Sequence, residues 1–287
     1  PILTIPADRT SYGAFDALNE LSQARLHVLL EKAAADTSAT GEQAKVGALY
    51  RSFMAEAKVN ALGAKPMAAD LAAIRAEKTK ADVARAMGRS QHTFGGAVFE
   101  ASVQVDGKDP DHYAVYLNQA GLGLPDRDFY LEKSFAAKKA KYQAYVAKML
   151  TLAGWPKAAA NAKAIVGLET EIAQASWTKA EQRDDNKMYN PYETAKLAGL
   201  APGFDWPAFM AGAGLGKATH VVAQENTAFP KIAAIYAKTP LATLKAWQAF
   251  NLADQAAPYL SQPFVDARFD FRGKVLTGQQ AQRPRWK

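Results

Sequence analysis

Cysteine is missing from all 287 residues, which removes disulfides and thiolate metal sites and leaves the redox compartment unread. Histidine is scarce: His27, His92, His112 and His220 stand apart, and none has a histidine or cysteine partner at ligand spacing. The H-E-x-x-H pattern, by which zinc proteases set two histidines one helical turn apart around a water-activating glutamate, is absent. So is the Gly-x-Ser-x-Gly elbow, and with no cysteine only unplaced serines are left for nucleophilic chemistry. No apolar run approaches the roughly 20 residues that span a bilayer. No charged-then-apolar start marks a signal peptide, and because the chain opens at Pro1, not methionine, an export signal is not expected to be visible in it. Low-complexity tracts and internal repeats are also missing. Lys and Arg outnumber Asp and Glu by 35 to 28, but the lysines are scattered through alanine-rich helical segments. Nucleic-acid binding needs a concentrated patch, so it is not expected.

What is present is 49% hydrophobic residues, enough for a sizeable core, arranged mostly at helical spacing. Phe15, Leu18, Leu21, Val28 and Leu29 mark a first helix. Val46, Leu49, Tyr50, Phe53 and Met54 mark a second with one face buried, ended by Gly63 and Pro66. Helices are expected from Ala68 to about Glu77, Ala81 to Met87, Lys133 to Ala153 and Ala158 to Ser176, a short one near Tyr192 to Ala198, and two more at Asn226 to Ala237 and Leu241 to Ala256. The period changes once. Val98 to Val105 alternates, Asp106-Gly107 turns, and Tyr113, Val115 and Leu117 resume the alternation, giving a hairpin over about 98–118. The fold class is therefore mainly α, a multi-helix lobe with one small β-hairpin.

Candidate chemistry in the residues is thin. Gly212-Ala213-Gly214-Leu215-Gly216-Lys217 invites a nucleotide reading, yet a phosphate-binding loop needs glycine at 211 and serine or threonine at 218, and both are alanine. The dinucleotide fingerprint fails as well, since its third glycine falls on Lys217. Those glycines read as a loop ending a helix. Glu169 and Glu171 sit on opposite sides of their helix and cannot converge. Asp109, Asp111 and His112 cluster on the hairpin return, where turn residues of this kind are ordinary.

The most informative stretch is Gly121-Leu122-Gly123-Leu124-Pro125-Asp126-Arg127-Asp128-Phe129-Tyr130-Leu131. Locally it reads as a structural turn whose Asp-Arg-Asp caps a helix while Phe129, Tyr130 and Leu131 pack. It also resembles the signature of the neprilysin and endothelin-converting-enzyme family of zinc metallopeptidases, in its non-catalytic half. Further landmarks match in order: Ile5-Pro6 with Tyr12-Gly13-Ala14-Phe15-Asp16, Leu49-Tyr50-Arg51-Ser52, Arg183-Asp184-Asp185 before Tyr189-Asn190, Phe204-Asp205-Trp206, and the closing Pro284-Arg285-Trp286-Lys287.

The resemblance implies that residues 1–237 form a helical lobe enclosing a peptide-sized cavity, and that 238–287 crosses back toward a catalytic lobe made elsewhere. It implies zinc in the full-length enzyme, bound by residues outside this chain, with no cofactor and no catalytic residue in the chain itself. The expected partners are that C-terminal catalytic half, as one protein or as a separate chain after a cut near Lys287, and peptide substrates. No nucleic acid and no membrane-spanning segment are expected. One family substrate contact, an arginine before the Tyr-Gly pair that meets a peptide's terminal carboxylate, matches Ser11 here, and the nearest arginine is Arg9. The missing cysteines, against disulfide-rich animal members, imply a bacterial relative in the periplasm or cell exterior. A non-enzymatic helical module binding peptides or another protein is the alternative.

Overall fold

The structure is a computed structural model, and it describes residues 4–287. Its contacts divide the chain into two units, one running up to Pro66 and resuming at Ala257–Lys287, the other Met67–Ala256.

The first unit opens with the helices α1 (Ala14–Ala35), α2 (Gly41–Met54) and α3 (Glu56–Leu62). Asp16 reaches back to the Gly13 N–H at 2.8 Å, which fixes the start of α1. α1 and α2 meet through small residues. A Cβ on Gly47 would lie 2.2 Å from the Ala33 carbonyl oxygen, so only glycine permits this approach. Along residues 4–66 just Arg9, Ala33 and Gly47 are buried. The stripes that periodicity assigns to the interior therefore stand open: Phe15 is 86% exposed, Leu49 71%, Leu29 60%. Periodicity names an apolar face, not what covers it.

The second unit holds α4 (Ala68–Ala76), α5 (Lys80–Arg89), strands β1 (Phe99–Val105) and β2 (Tyr113–Gln119), α6 (Asp128–Leu131), α7 (Ala136–Leu152), α8 (Ala158–Ala175), β3 (Pro191–Glu193), α9 (Leu197–Leu200), α10 (Trp206–Gly212), β4 (His220–Ala223), α11 (Phe229–Lys238) and α12 (Leu241–Ala256). The expected hairpin is present, with Phe99 opposite Gln119 and Val105 opposite Tyr113. It is half of a four-stranded sheet of order β1-β2-β4-β3, in which β4 runs parallel to β2 and antiparallel to β3. The short helix expected near Tyr192 is instead β3, a 3₁₀ turn at Thr194–Lys196, and α9. Strands of three and four residues carry too little sequence to display a period. Phe99, Phe204, Trp206 and Phe229 pack ring on ring under the sheet, centroids 4.7 to 5.9 Å apart.

The chain then returns to the first unit through α13 (Gln262–Arg268) and a π-helical run, Phe269–Thr277. Gln280 and Ala281 donate their backbone N–H groups to the Ala7 carbonyl at 2.8 and 2.9 Å. Trp286 stacks on His27 at 4.1 Å, and Arg285 lies over the Phe53 ring while its Nε donates to the Phe53 carbonyl at 2.7 Å. The closing tryptophan thus finds its partner inside the chain. Of the described residues, no helix is long and apolar enough to cross a membrane.

Candidate functional site

The Gly121–Leu131 stretch closes on itself and on one carboxylate. Tyr130, on α6, is buried, and its hydroxyl accepts the N–H groups of Gly123 at 3.0 Å and Leu124 at 2.9 Å. The same hydroxyl donates to Glu169 Oε2 on α8 at 2.7 Å. Tyr142 of α7 and Trp247 of α12 both donate to Glu169 Oε1, at 3.1 and 2.9 Å. A Cβ at residue 123 would fall 1.8 Å from the Tyr142 hydroxyl oxygen, so the second glycine is a spatial requirement. Asp126 accepts the Asp128 N–H at 3.0 Å and pairs with Lys179 at 3.0 Å, while Arg127 Nε donates to the Ala173 carbonyl at 3.0 Å. The cap expected from Asp-Arg-Asp is not formed as such: α6 is capped at Arg127 without a side-chain bond, and Asp126 instead closes a local turn onto the Asp128 N–H; Phe129 stacks on Phe135 at 4.2 Å, but Leu131 stays exposed.

Glu169 is 0% exposed. Burial pushes its carboxyl up to about 7, against the pull of the Tyr130, Trp247 and Tyr142 hydrogen bonds. Both its oxygens are held by the surrounding tyrosines and tryptophan and neither reaches solvent, so this carboxylate organises the core. The sequence did carry a signal for it. Glu169 lies on the buried stripe of α8 with Ile165, Leu168 and Ile172, and a glutamate on such a stripe requires donors. Glu171, two residues on, faces away and pairs with Lys238 at 2.7 Å.

Arg9 sits in the first unit with its side chain 4% exposed. Its Nη2 donates to Glu20 Oε1 at 2.7 Å, and Tyr12 donates to the other Glu20 oxygen at 2.8 Å. Asp16 lies 3.6 Å from Nη1, and Asp8 3.9 Å from Nε, which makes no hydrogen bond. Carboxylates of the chain itself thus surround the guanidinium.

The histidines are dispersed in space as in sequence. His92 Nε2 meets the Ala213 carbonyl at 2.8 Å, His112 Nδ1 pairs with Asp109 at 2.8 Å on the open hairpin return, and His220 Nδ1 meets Thr219 at 3.0 Å. Among the described residues no three His, Asp or Glu side chains gather as a metal would need. These residues do not fit a zinc ion.

Comparison with known proteins settles the family. The model of peptidase family M13, in its N-terminal portion, matches residues 3–287. The chain belongs to peptidase family M13. Endothelin-converting enzyme 1 of Cavia porcellus is 25% identical over 99% of this chain, which covers 39% of that protein. Neprilysin-11 of Caenorhabditis elegans is 26% identical over 99% of the chain and 36% of its own length. Among solved structures, the zinc metalloprotease Zmp1 of Mycobacterium tuberculosis, in complex with an inhibitor, superposes with a TM-score of 0.92 at 31% identity, over 99% of this chain and 44% of that one. This M13 chain corresponds to the N-terminal portion of neprilysin-type proteins, and it spans 36 to 44% of the length of these relatives.

Removing the Tyr130 hydroxyl leaves the N–H groups of Gly123 and Leu124 and one Glu169 oxygen without their partner. Y130F is expected to lower unfolding stability by about 3 kcal/mol, since each orphaned buried group costs about 1–3 kcal/mol; equilibrium urea unfolding monitored by tryptophan fluorescence measures it.

A pH dependence follows from the buried acids. Burial also raises Glu77 to about 7, against a hydrogen bond from Gln248. With folded values above unfolded ones, the native state binds more protons between about pH 4.5 and about pH 7. Unfolding stability is therefore expected to decline as pH rises through that window, and E169Q to flatten the slope, as measured by urea unfolding at a series of pH values.

Proposed function

We propose that this chain is the non-catalytic N-terminal part of a zinc metalloendopeptidase that hydrolyses peptides, and that it limits substrate size and helps position the peptide. A catalytic part of the same protein, carrying the metal, covers the open face of α1 and α2. The observation that carries this reading is an unequal surface. Among the described residues, eleven of the sixteen exposed large apolar side chains belong to the first unit, although that unit is about one-third of the chain. An apolar face of this extent is costly in water and marks a contact surface. That the relatives extend far beyond the matched region supports a further part of the same protein as what covers it.

Zinc, when bound, polarises a scissile carbonyl and lowers the pKa of an attacking water. Among the described residues no ligand set for it gathers, and the contribution proposed for this chain is confinement and selection. The complete protein is expected to carry an H-E-x-x-H segment after Lys287 and to hydrolyse peptides in a chelator-sensitive manner, while the 287-residue chain alone hydrolyses none. Chelator-sensitive peptidase activity from the chain by itself would reject this assignment, as would a complete protein with no such activity.

Arg9 remains the guanidinium nearest the position matched to the family's substrate arginine. Because Glu20 already holds it, a peptide carboxylate would have to share or displace that partner. In the complete protein, R9A is expected to slow cleavage of free-carboxylate peptides more than of their amidated counterparts. Equal slowing, in a kcat/KM comparison of the two series, would assign Arg9 to its local ion-pair cluster alone.

A further inference from the structure

The first unit contains an open pocket of about 750 Å³ whose wall is unusually cationic. Arg268, Arg272, Arg283, Arg285 and Lys287 line it beside Phe53, and Glu56 is the single carboxylate among its lining residues. Two of these cations are answered inside the unit: Arg283 lies 4.0 Å from Asp8, and Lys287 3.7 Å from Glu20. Two others hold atoms with nothing to bond. Arg268 Nε and Arg285 Nη2 are both buried and without a hydrogen-bond partner. A buried guanidinium N–H left unpaired is costly, and the planar fork is best satisfied by a carboxylate accepting two bonds at once.

We propose that this pocket is a latch for an acidic segment of the catalytic part of the same protein, an inference that rests on the reading above. The choice of occupant follows from what else the unit leaves open. A free phosphate would neutralise the guanidinium groups but leave the apolar face of α1 and α2 in water. A second copy of the chain, with formal net charge +7, would bring the same cations to the same surface. A partner polypeptide that carries carboxylates beside apolar side chains satisfies both demands, and the pocket has room for several of its side chains.

The test is charge reversal at Arg268 in two contexts, the complete protein and the 287-residue chain. R268E is expected to lower the melting temperature of the complete protein by at least about 3 °C. R268Q should do so by less, and R268K, which keeps the charge but not the fork, by less still without reaching wild type. Raising the salt concentration should narrow the R268E gap, as screening weakens a charge pair. In the 287-residue chain the same R268E change is expected to leave the melting temperature unchanged or raise it, because it lowers the density of positive charge lining the pocket. An equal drop in both proteins would make Arg268 a local structural residue and end the proposal. No drop in the complete protein, or a gap indifferent to salt, would end it too, and so would a dimer of the chain that R268E dissociates. Chelator-sensitive hydrolysis by the wild-type complete protein is measured in parallel. Its absence rejects the peptidase reading, whereas the melting pattern reports on the latch alone.

Discussion

One carboxylate fixes the interior of the larger unit. Glu169 draws hydrogen bonds from Tyr130, Tyr142 and Trp247, side chains carried by three different helices. Burying a carboxylate is strongly unfavourable unless donors replace its water, and here hydroxyl and indole donors do so from defined directions. The geometry propagates outward. The Tyr130 hydroxyl that donates to Glu169 also accepts from Gly123 and Leu124, so the Gly-Leu-Gly-Leu-Pro turn is tied to α8 through a single hydroxyl. That accounts for a tyrosine seven residues after the second glycine, and for a glycine where the Tyr142 hydroxyl leaves no space for a Cβ. The stretch most diagnostic of the family is, in physical terms, the brace of a core.

Most helices were legible because an apolar stripe at 3.6-residue spacing is a local property. The span Leu241–Ala256 was read from Leu244, Trp247, Phe250 and Leu252 and is the helix observed. Long-range pairing was not legible: β4 joins β2 across about a hundred residues of chain, and its own four residues hold no usable period. Glu169 reads in sequence as a residue that cannot meet Glu171, and what marks it for burial is the stripe it shares with Ile165 and Ile172. The first two helices show the opposite failure. Their stripes are real, but a stripe implies a covering surface and not that the surface belongs to the same chain.

The two units also differ in how their charges are met. Around Arg9, the carboxylates of Glu20, Asp16 and Asp8 gather within 4 Å, and the side chain is held tightly by its neighbours. Around Arg268 and Arg285 no carboxylate does so, and guanidinium nitrogens are left buried and unbonded. Of the five buried side-chain atoms without a partner among the described residues, four lie in the first unit and one, Thr194 Oγ1, in the second. Orphaned polar atoms and open apolar side chains are independent measures of an unfinished surface, one electrostatic and one hydrophobic.

Both measures point to the same unit, and this coincidence constrains function more than any single residue does. A chain whose surface were left apolar by chance would scatter its open side chains across both units, in proportion to their size. Here the larger unit meets the Glu169 carboxylate with donors from three helices and backs its sheet with an aromatic core. The smaller unit buries only Arg9, Ala33 and Gly47 from residues 4–66, too little to hold a two-helix hairpin in water by its own contacts. Stability of that hairpin must therefore come from contacts that these residues do not make with one another. The braced core around Glu169 and the open apolar face of the first unit are thus separate physical features of one polypeptide, the first satisfied within its own unit and the second exposed.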